Sequence, residues 1–194
     1  DKTMAEEPPP KDTDRVKRIE IRSKLLSDFY GREVMLRAGV VLPSTFSENP
    51  NQQFPALYEI PSSTGDYTEA WWRPEHEQEL KYHQGPLQML RVFVDPAGPL
   101  GHTSFANSAN NGPVGDALVQ ELIPEIERRF RAIPHGYARF LTGFSAGGWT
   151  SLWLQVNYPE FFGGCWSISP DPVDFRAFQT MNIYEDRNGH WTRE

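Results

Sequence analysis

The stretch Arg139-Phe140-Leu141-Thr142-Gly143-Phe144-Ser145-Ala146-Gly147-Gly148-Trp149 decides how this chain folds. Ala138 to Thr142 is a short apolar run of strand length. After Gly147 a helical pattern begins, with Trp149, Leu152, Trp153 and Val156 on one face, and Tyr158-Pro159 stops it. Between the two, Gly143-Phe144-Ser145-Ala146-Gly147 reads G-x-S-x-G. With 15 Gly and 12 Ser in the chain, roughly 0.07 chance matches are expected, so the setting has to decide. The setting is strand, turn, helix. A turn that sharp holds the residue at its apex, Ser145, in an unfavourable backbone conformation. Side chains two positions away on either side would collide with it, hence Gly143 and Gly147. The turn lifts the Ser145 hydroxyl above the sheet edge, and the helix that follows aims its N-terminus and the Ala146 N–H at the same point. The bland alternative is a tight turn that merely contains a serine.

Working outward, residues 16–27, the turn Phe29-Tyr30-Gly31-Arg32 and residues 33–42 read as a strand hairpin closed by Pro43. Pro55 to Ile60 and Met89 to Val94 are apolar strands, and Gly164 to Ser169 is a last one. A Trp-rich, charged segment at 68–82 has helical character. A helix starts near Gly115, with Val119, Leu122, Ile123, Ile126 and Phe130 at helical spacing; Pro124 predicts a kink or restart within it. Two antiparallel strands followed by alternating strands and helices predict an α/β protein: a mostly parallel sheet with an antiparallel N-terminal hairpin and helices on both faces.

Composition narrows the function. At 194 residues, residues 15–194 fit one domain; residues 1–14, with Pro8-Pro9-Pro10 among alternating charges, read as a linker or a cut end. A formal charge of −7 argues against nucleic acid, which selects basic faces. No apolar run approaches the length of a membrane span. One cysteine, Cys165, excludes an internal disulfide and leaves the compartment open, with periplasmic or secreted placed ahead of cytoplasmic. No Cys/His cluster has metal-ligand spacing and no glycine-rich phosphate loop is present.

The chain resembles the Putative esterase family, which includes S-formylglutathione hydrolases, enterochelin esterases, feruloyl esterases and mycolyltransferases. The resemblance rests on Pro55 to Pro61, the run Phe105-Ala106-Asn107-Ser108-Ala109-Asn110-Asn111-Gly112-Pro113, the helix Glu121-Leu122-Ile123-Pro124-Glu125-Ile126-Glu127, the glycine-serine turn, and Tyr158-Pro159-Glu160-Phe161-Phe162 before Ser167-Ile168-Ser169-Pro170-Asp171. It implies an α/β-hydrolase fold and a Ser–His–acid hydrolase of small carboxylic esters that needs no cofactor, or else an acyltransferase to a sugar or lipid alcohol. A non-catalytic binding module on the same fold is the rival from another class. Ser145 is then the nucleophile and Ala146 one oxyanion donor. The second donor comes from the loop after Ile60, where Ser62 or Ser63 offers a backbone N–H; many relatives are glycine-rich where this chain has Ser62-Ser63-Thr64. In this fold the acid and the histidine follow the serine, and only His190 does so among histidines. His190 reads as a surface-loop residue, Asp171 and Asp174 as structural or pocket residues. The chain is therefore expected to be the N-terminal part of the catalytic domain, its triad unfinished and its oligomeric state open.

The loop carrying His102, Ser104, Asn107, Asn110 and Asn111 hangs over the same sheet edge as Ser145, and His102, Asn110 and Asn111 are candidates for lining the pocket. His76 and His83 read as solvated, His135 as unpartnered, Trp71-Trp72 as a buried pair holding a helix on the sheet, and Cys165 as a small buried hydrophobe.

Overall fold

The computed structural model describes residues 8–73, 88–178 and 180–187. Strands β1 (Val16–Arg22), β2 (Met35–Val41), β3 (Ala56–Ile60), β4 (Leu90–Val94), β7 (Arg139–Phe144) and β8 (Gly164–Ile168) form one sheet in the order β1-β2-β4-β3-β7-β8. β1 pairs antiparallel with β2, and β2 with β4; β4, β3, β7 and β8 run parallel. The expected fold class stands. A two-stranded hairpin, β5 (Ala97–Gly98) and β6 (Gly101–His102), sits apart from this sheet.

The N-terminal pair is not a plain hairpin. Residues 24–27, read as strand, and the turn after them form helix α1 (Lys24–Tyr30), ended by Gly31 in the left-handed conformation. Its start is capped twice. Ser23 Oγ accepts from the Leu26 N–H, and the Glu121 carboxylate accepts from the Lys24 and Leu25 N–H groups at 2.9 and 3.0 Å. Ser23 Oγ also donates to Glu121. Half of that cap lies almost a hundred residues away, so local spacing favoured a strand.

The long helix α3 spans 114–130. It begins as Val114–Ala117, loosens into a π-turn at Leu118–Leu122 and continues as Ile123–Phe130. Pro124 lacks the N–H that a regular helix would use, and the wider turn just before it absorbs the mismatch. Leu118, Leu122, Ile123 and Ile126 are fully buried, with Val119 close behind, against the sheet face formed by Tyr58, Ile60, Val92 and Leu141. Each such side chain contributes about 1.5–3 kcal/mol on burial.

Helix α4 (Ala146–Asn157) lies on that same core but turns a different face to it than its large apolar residues suggest. Gly147, Gly148, Thr150, Ser151 and Leu154 are buried, whereas Val156 is 68% exposed. Small residues let the helix approach the sheet closely, and the Thr150 and Ser151 hydroxyls bond the Ala146 and Gly147 carbonyls. The opposite sheet face is covered near β2 and β4 by α2 (Glu69–Trp72), through Val41, Ala70, Phe93 and Trp71. The tryptophan pair divides: Trp71 packs there and donates to the Lys11 carbonyl, while Trp72 is exposed. The remainder of the helix expected at 68–82 lies outside the described residues, as do His76 and His83.

Candidate active site

β7 runs into α4 with one residue between them. Ser145 adopts φ 57° and ψ −122°, a region that residues with a side chain enter only at a cost of about 1–3 kcal/mol. Backbone bonds hold it there: its N–H donates to the Ile168 carbonyl at 3.1 Å, and its own carbonyl accepts from Trp149 at 3.0 Å and from Asp171 at 3.4 Å. Gly143 meets the local need read from the sequence, whereas Gly147 is required by the end of β3 rather than by the turn itself. A Cβ on Gly143 would lie 2.4 Å from the Gly147 backbone, and one on Gly147 would lie 2.1 Å from the Ile60 carbonyl oxygen and 2.8 Å from that of Pro61. The first turn of α4 is therefore pressed directly onto the end of β3. The Ala146 N–H belongs to the unpaired donors of the helix start, where the dipole favours negative charge.

That contact brings the loop after β3 alongside the turn. Residues 62–65 form a tight turn closed by the Gly65 N–H on the Ser62 carbonyl, with Ser62 half-buried and Ser63 exposed. Ser62 stands at the rim of a cavity of about 640 Å³, together with Pro61, Gly143 and Phe144. The body of the cavity lies on the second sheet face, against Leu57, Glu59, Arg91, Phe140, Thr142 and Trp166.

The Ser145 hydroxyl donates to Asp171 Oδ1 at 3.3 Å. Asp171, read from the sequence as a structural or pocket residue, approaches Ser145 through the turn after β8, where Ser169 takes a positive φ of 42°. Asp174 turns elsewhere. It caps the short turn Phe175–Ala177 and pairs with Arg176, which holds its carboxyl below the usual range. Among the described residues no histidine is hydrogen-bonded to Ser145, and His190 lies outside them.

The pocket candidates separate. His102 is half-buried at the end of β6; its Nδ1 accepts from the Ser104 N–H at 3.2 Å, and burial pushes its pKa down. Asn110 and Asn111 sit in a surface turn against α1: the Asn110 carbonyl accepts from the Tyr30 hydroxyl, and the Asn111 N–H donates to Ser108. These contacts run to α1 and to their own turn, not to Ser145. Asn107 has a role that residue type alone did not reveal. Its Oδ1 accepts from the Gly115 N–H at the start of α3, and its amide donates to the Tyr158 hydroxyl, which in turn donates to Asp116 at 2.8 Å. Burial and then Asp116 push the Tyr158 pKa up to about 12. His135 has a partner after all, stacked on the Tyr137 ring. Cys165 is partly buried against the core, and burial raises its thiol pKa. Among the described residues no group of three or more His, Cys, Asp and Glu could hold a metal ion, and no helix is long and apolar enough to cross a membrane.

Comparison with solved structures finds the same architecture. A ferulic acid esterase superposes with a TM-score of 0.66 at 20% identity, over 80% of this chain and 60% of that one. The S-formylglutathione hydrolase of Agrobacterium tumefaciens gives 0.65 at 16% identity, over 84% and 60%. The enterobactin esterase FES of Shigella flexneri gives 0.61 at 19% identity, over 91% and 42%. The chain thus spans about 60% or less of the length of these structures. No curated protein matches it. The profile of the Putative esterase family covers residues 33–193, from the start of β2 through the glycine-serine turn to the segment after β8. With an α/β-hydrolase sheet order, and that match spanning most of its length, the chain belongs to the Putative esterase family.

Proposed function

We propose that the protein is a serine esterase and that this chain supplies its nucleophile, Ser145, and its oxyanion donors, the N–H groups of Ala146 and Ser62. The observation that carries the reading is the backbone of Ser145, at φ 57° and ψ −122° between two glycines that tolerate no Cβ. Strain of this kind persists where surrounding structure enforces it, and it gathers at reacting groups. The hydroxyl adds to the carbonyl carbon of a small-molecule ester, and its proton passes to a histidine from outside the described residues. The negative charge that forms on the carbonyl oxygen falls to the two backbone N–H groups. Collapse of this adduct expels the alcohol, which takes the proton, and water then hydrolyses the acyl-enzyme by the same steps in reverse order.

The test uses the full-length protein, a fluorophosphonate probe and a short nitrophenyl ester. Labelling and turnover that both disappear in Ser145→Ala support the serine mechanism. Turnover that survives the substitution above a few per cent refutes it. Repeating the assay with added alcohol distinguishes release to water from transfer to an acceptor hydroxyl.

A further inference from the structure

Hydrogen bonds tie Ser145 to the segment that follows β8 through its backbone and its side chain. Its N–H donates to the Ile168 carbonyl at 3.1 Å, its carbonyl accepts from the Asp171 N–H at 3.4 Å, and its hydroxyl donates to Asp171 Oδ1 at 3.3 Å. The same segment is pressed onto the first turn of α4. A Cβ on Gly148 would lie 2.7 Å from the Ile168 carbonyl oxygen and 3.2 Å from Pro170 Cα. The Ser167 hydroxyl donates to the Gly148 carbonyl at 2.7 Å. Pro170 and Pro172 flank Asp171, and each fixes its own φ. Ser169 before them takes a positive φ of 42°, a conformation that surrounding structure has to enforce. The backbone on both sides of the contact thus sets the Asp171 carboxylate beside the Ser145 oxygen.

A carboxylate in that place does not fit the part of a triad acid. An imidazole bonded to both groups would hold hydroxyl and carboxylate about 7 Å apart, and here they are in direct contact. Nor does a neighbouring cation offset it: the next one along the chain, Arg176, pairs with Asp174. The side-chain donor to Asp171 among the described residues is the Ser145 hydroxyl, and a hydroxyl has a single proton. When Ser145 adds to an ester carbonyl that proton passes to the base, and Asp171 Oδ1 is left without its donor, next to the atoms of the substrate. It repels the charge developing on the carbonyl oxygen, so this oxygen turns to the N–H groups of Ala146 and Ser62. The acyl chain or the departing alcohol then faces Asp171. Ser145 and Asp171 are half-buried, which leaves that side open to a substrate.

We propose that Asp171 is a specificity residue: its carboxylate accepts a hydrogen bond from a hydroxyl carried next to the ester group of the substrate, and it turns away esters with an anion in that place. This rests on the serine-esterase reading and names the substrate class of that same site, small hydroxy esters.

The experiment measures kcat/KM of the full-length protein, by titration of released acid, on two pairs of esters matched in shape. Ethyl glycolate against ethyl propionate tests the acyl side, and ethylene glycol monoacetate against propyl acetate tests the alcohol side. Monoethyl malonate is the anionic ester. Wild type, Asp171→Ala, Asp171→Asn and Ser145→Ala are compared, with melting temperatures, and the ratio within a pair is the readout. A hydrogen bond to a charged acceptor amounts to about 10- to 100-fold. Wild type should prefer the hydroxy ester of one pair by that factor, and the pair tells which side faces Asp171. Like charges placed together cost at least about tenfold, so monoethyl malonate should fall behind ethyl propionate by that much. Asp171→Ala should bring the ratios close to one. Asp171→Asn, which keeps an acceptor and loses the charge, should keep part of the hydroxyl preference and take the malonate ester as readily as the propionate. A wild type that hydrolyses none of these esters, or shows no preference in either pair, overturns the proposal. So does a preference that survives in Asp171→Ala, or discrimination against malonate that survives in Asp171→Asn. Loss of turnover on every ester in both variants at unchanged melting temperature makes Asp171 part of nucleophile activation and overturns it too. Those outcomes leave the serine reading standing if Ser145→Ala is inactive. Full turnover in Ser145→Ala overturns both.

Discussion

The carbonyl oxygen of Ile60 lies 2.1 Å from the point where Gly147 would carry a Cβ. The end of β3 and the first turn of α4 are in backbone contact, with no room for one methyl group. Gly147→Ala should therefore push apart the loop after Ile60 and the helix that follows Ser145. The expected cost is about 3 kcal/mol, the upper end of overpacking penalties, because both neighbouring atoms are backbone. Turnover should fall with it. A chemical denaturation series checks the first effect; unchanged stability with full activity would show that the helix can retreat freely.

Strain at Ser145 gives a prediction of the opposite sign. Glycine reaches φ 57°, ψ −122° without steric cost, so Ser145→Gly relieves about 1–3 kcal/mol. Part is returned through the greater freedom of glycine in the unfolded chain, about 0.5–1 kcal/mol. The bond to Asp171 is lost as well. The variant should be inactive yet more stable than wild type by about 1 kcal/mol, read as a higher melting temperature. A lower one would mean that the Asp171 contact outweighs the backbone strain.

Glu121 ties α1 to α3, accepting from the Lys24 and Leu25 N–H groups and from Ser23. Glu121→Ala should cost about 1–2 kcal/mol, the scale of a lost N-cap. Glu121→Gln keeps an acceptor and should recover part of it. Turnover measured well below the melting temperature should not change, because Glu121 bonds to the start of α1 and not to the turn at Ser145. Equal stability of all three proteins would remove the cap from the account of α1.

Asp95 predicts a pH dependence. Its carboxyl is buried, and that burial pushes its pKa up more than the Ala97 N–H and Arg37 bring it down. The folded state then keeps the proton at a pH where the unfolded chain, titrating near about 4, has released it. Stability from this group falls as pH rises from that value through the raised one, and is level above it. Glu125 works in the opposite sense, held down to about 2 by hydrogen bonds from Arg128 and Arg129. The informative measurement is the difference between wild type and Asp95→Asn across pH 4–7 (a window set by the ordinary carboxylate value and neutrality, about three units). Wild type should gain on the variant as pH falls. A flat difference would mean that Asp95 titrates normally.

Part of the turn around Ser145 was legible in the residue order, where its causes are local. The need for Gly143 arises from atoms of the same turn, and a strand–turn–helix of that composition has few other ways to close, whereas Gly147 is required by the distant Ile60 and Pro61 carbonyls. The strands β3, β4, β7 and β8 are short apolar runs, and their alternation with helices pointed to a parallel sheet, while their spatial order β4-β3-β7-β8 is a property of the folded chain.

Tertiary structure decided the rest, because the causes lie far apart in sequence. Residues 24–30 are helical through a carboxylate almost a hundred positions away. Helix α4 buries Gly147, Gly148, Thr150, Ser151 and Leu154 rather than its large apolar stripe, since its first turn is pressed onto the end of β3 and admits only small side chains there. Asp171 reaches the Ser145 hydroxyl through a turn with a positive φ at Ser169. His102, a loop histidine by sequence, is half-buried with its Nδ1 accepting from the Ser104 N–H, while the Asn110 carbonyl from the same loop meets Tyr30 of α1 and Asn111 bonds within its own turn. Local sterics determine what a turn can be; which side chains then meet across it depends on the packing of elements that the chain order does not place side by side.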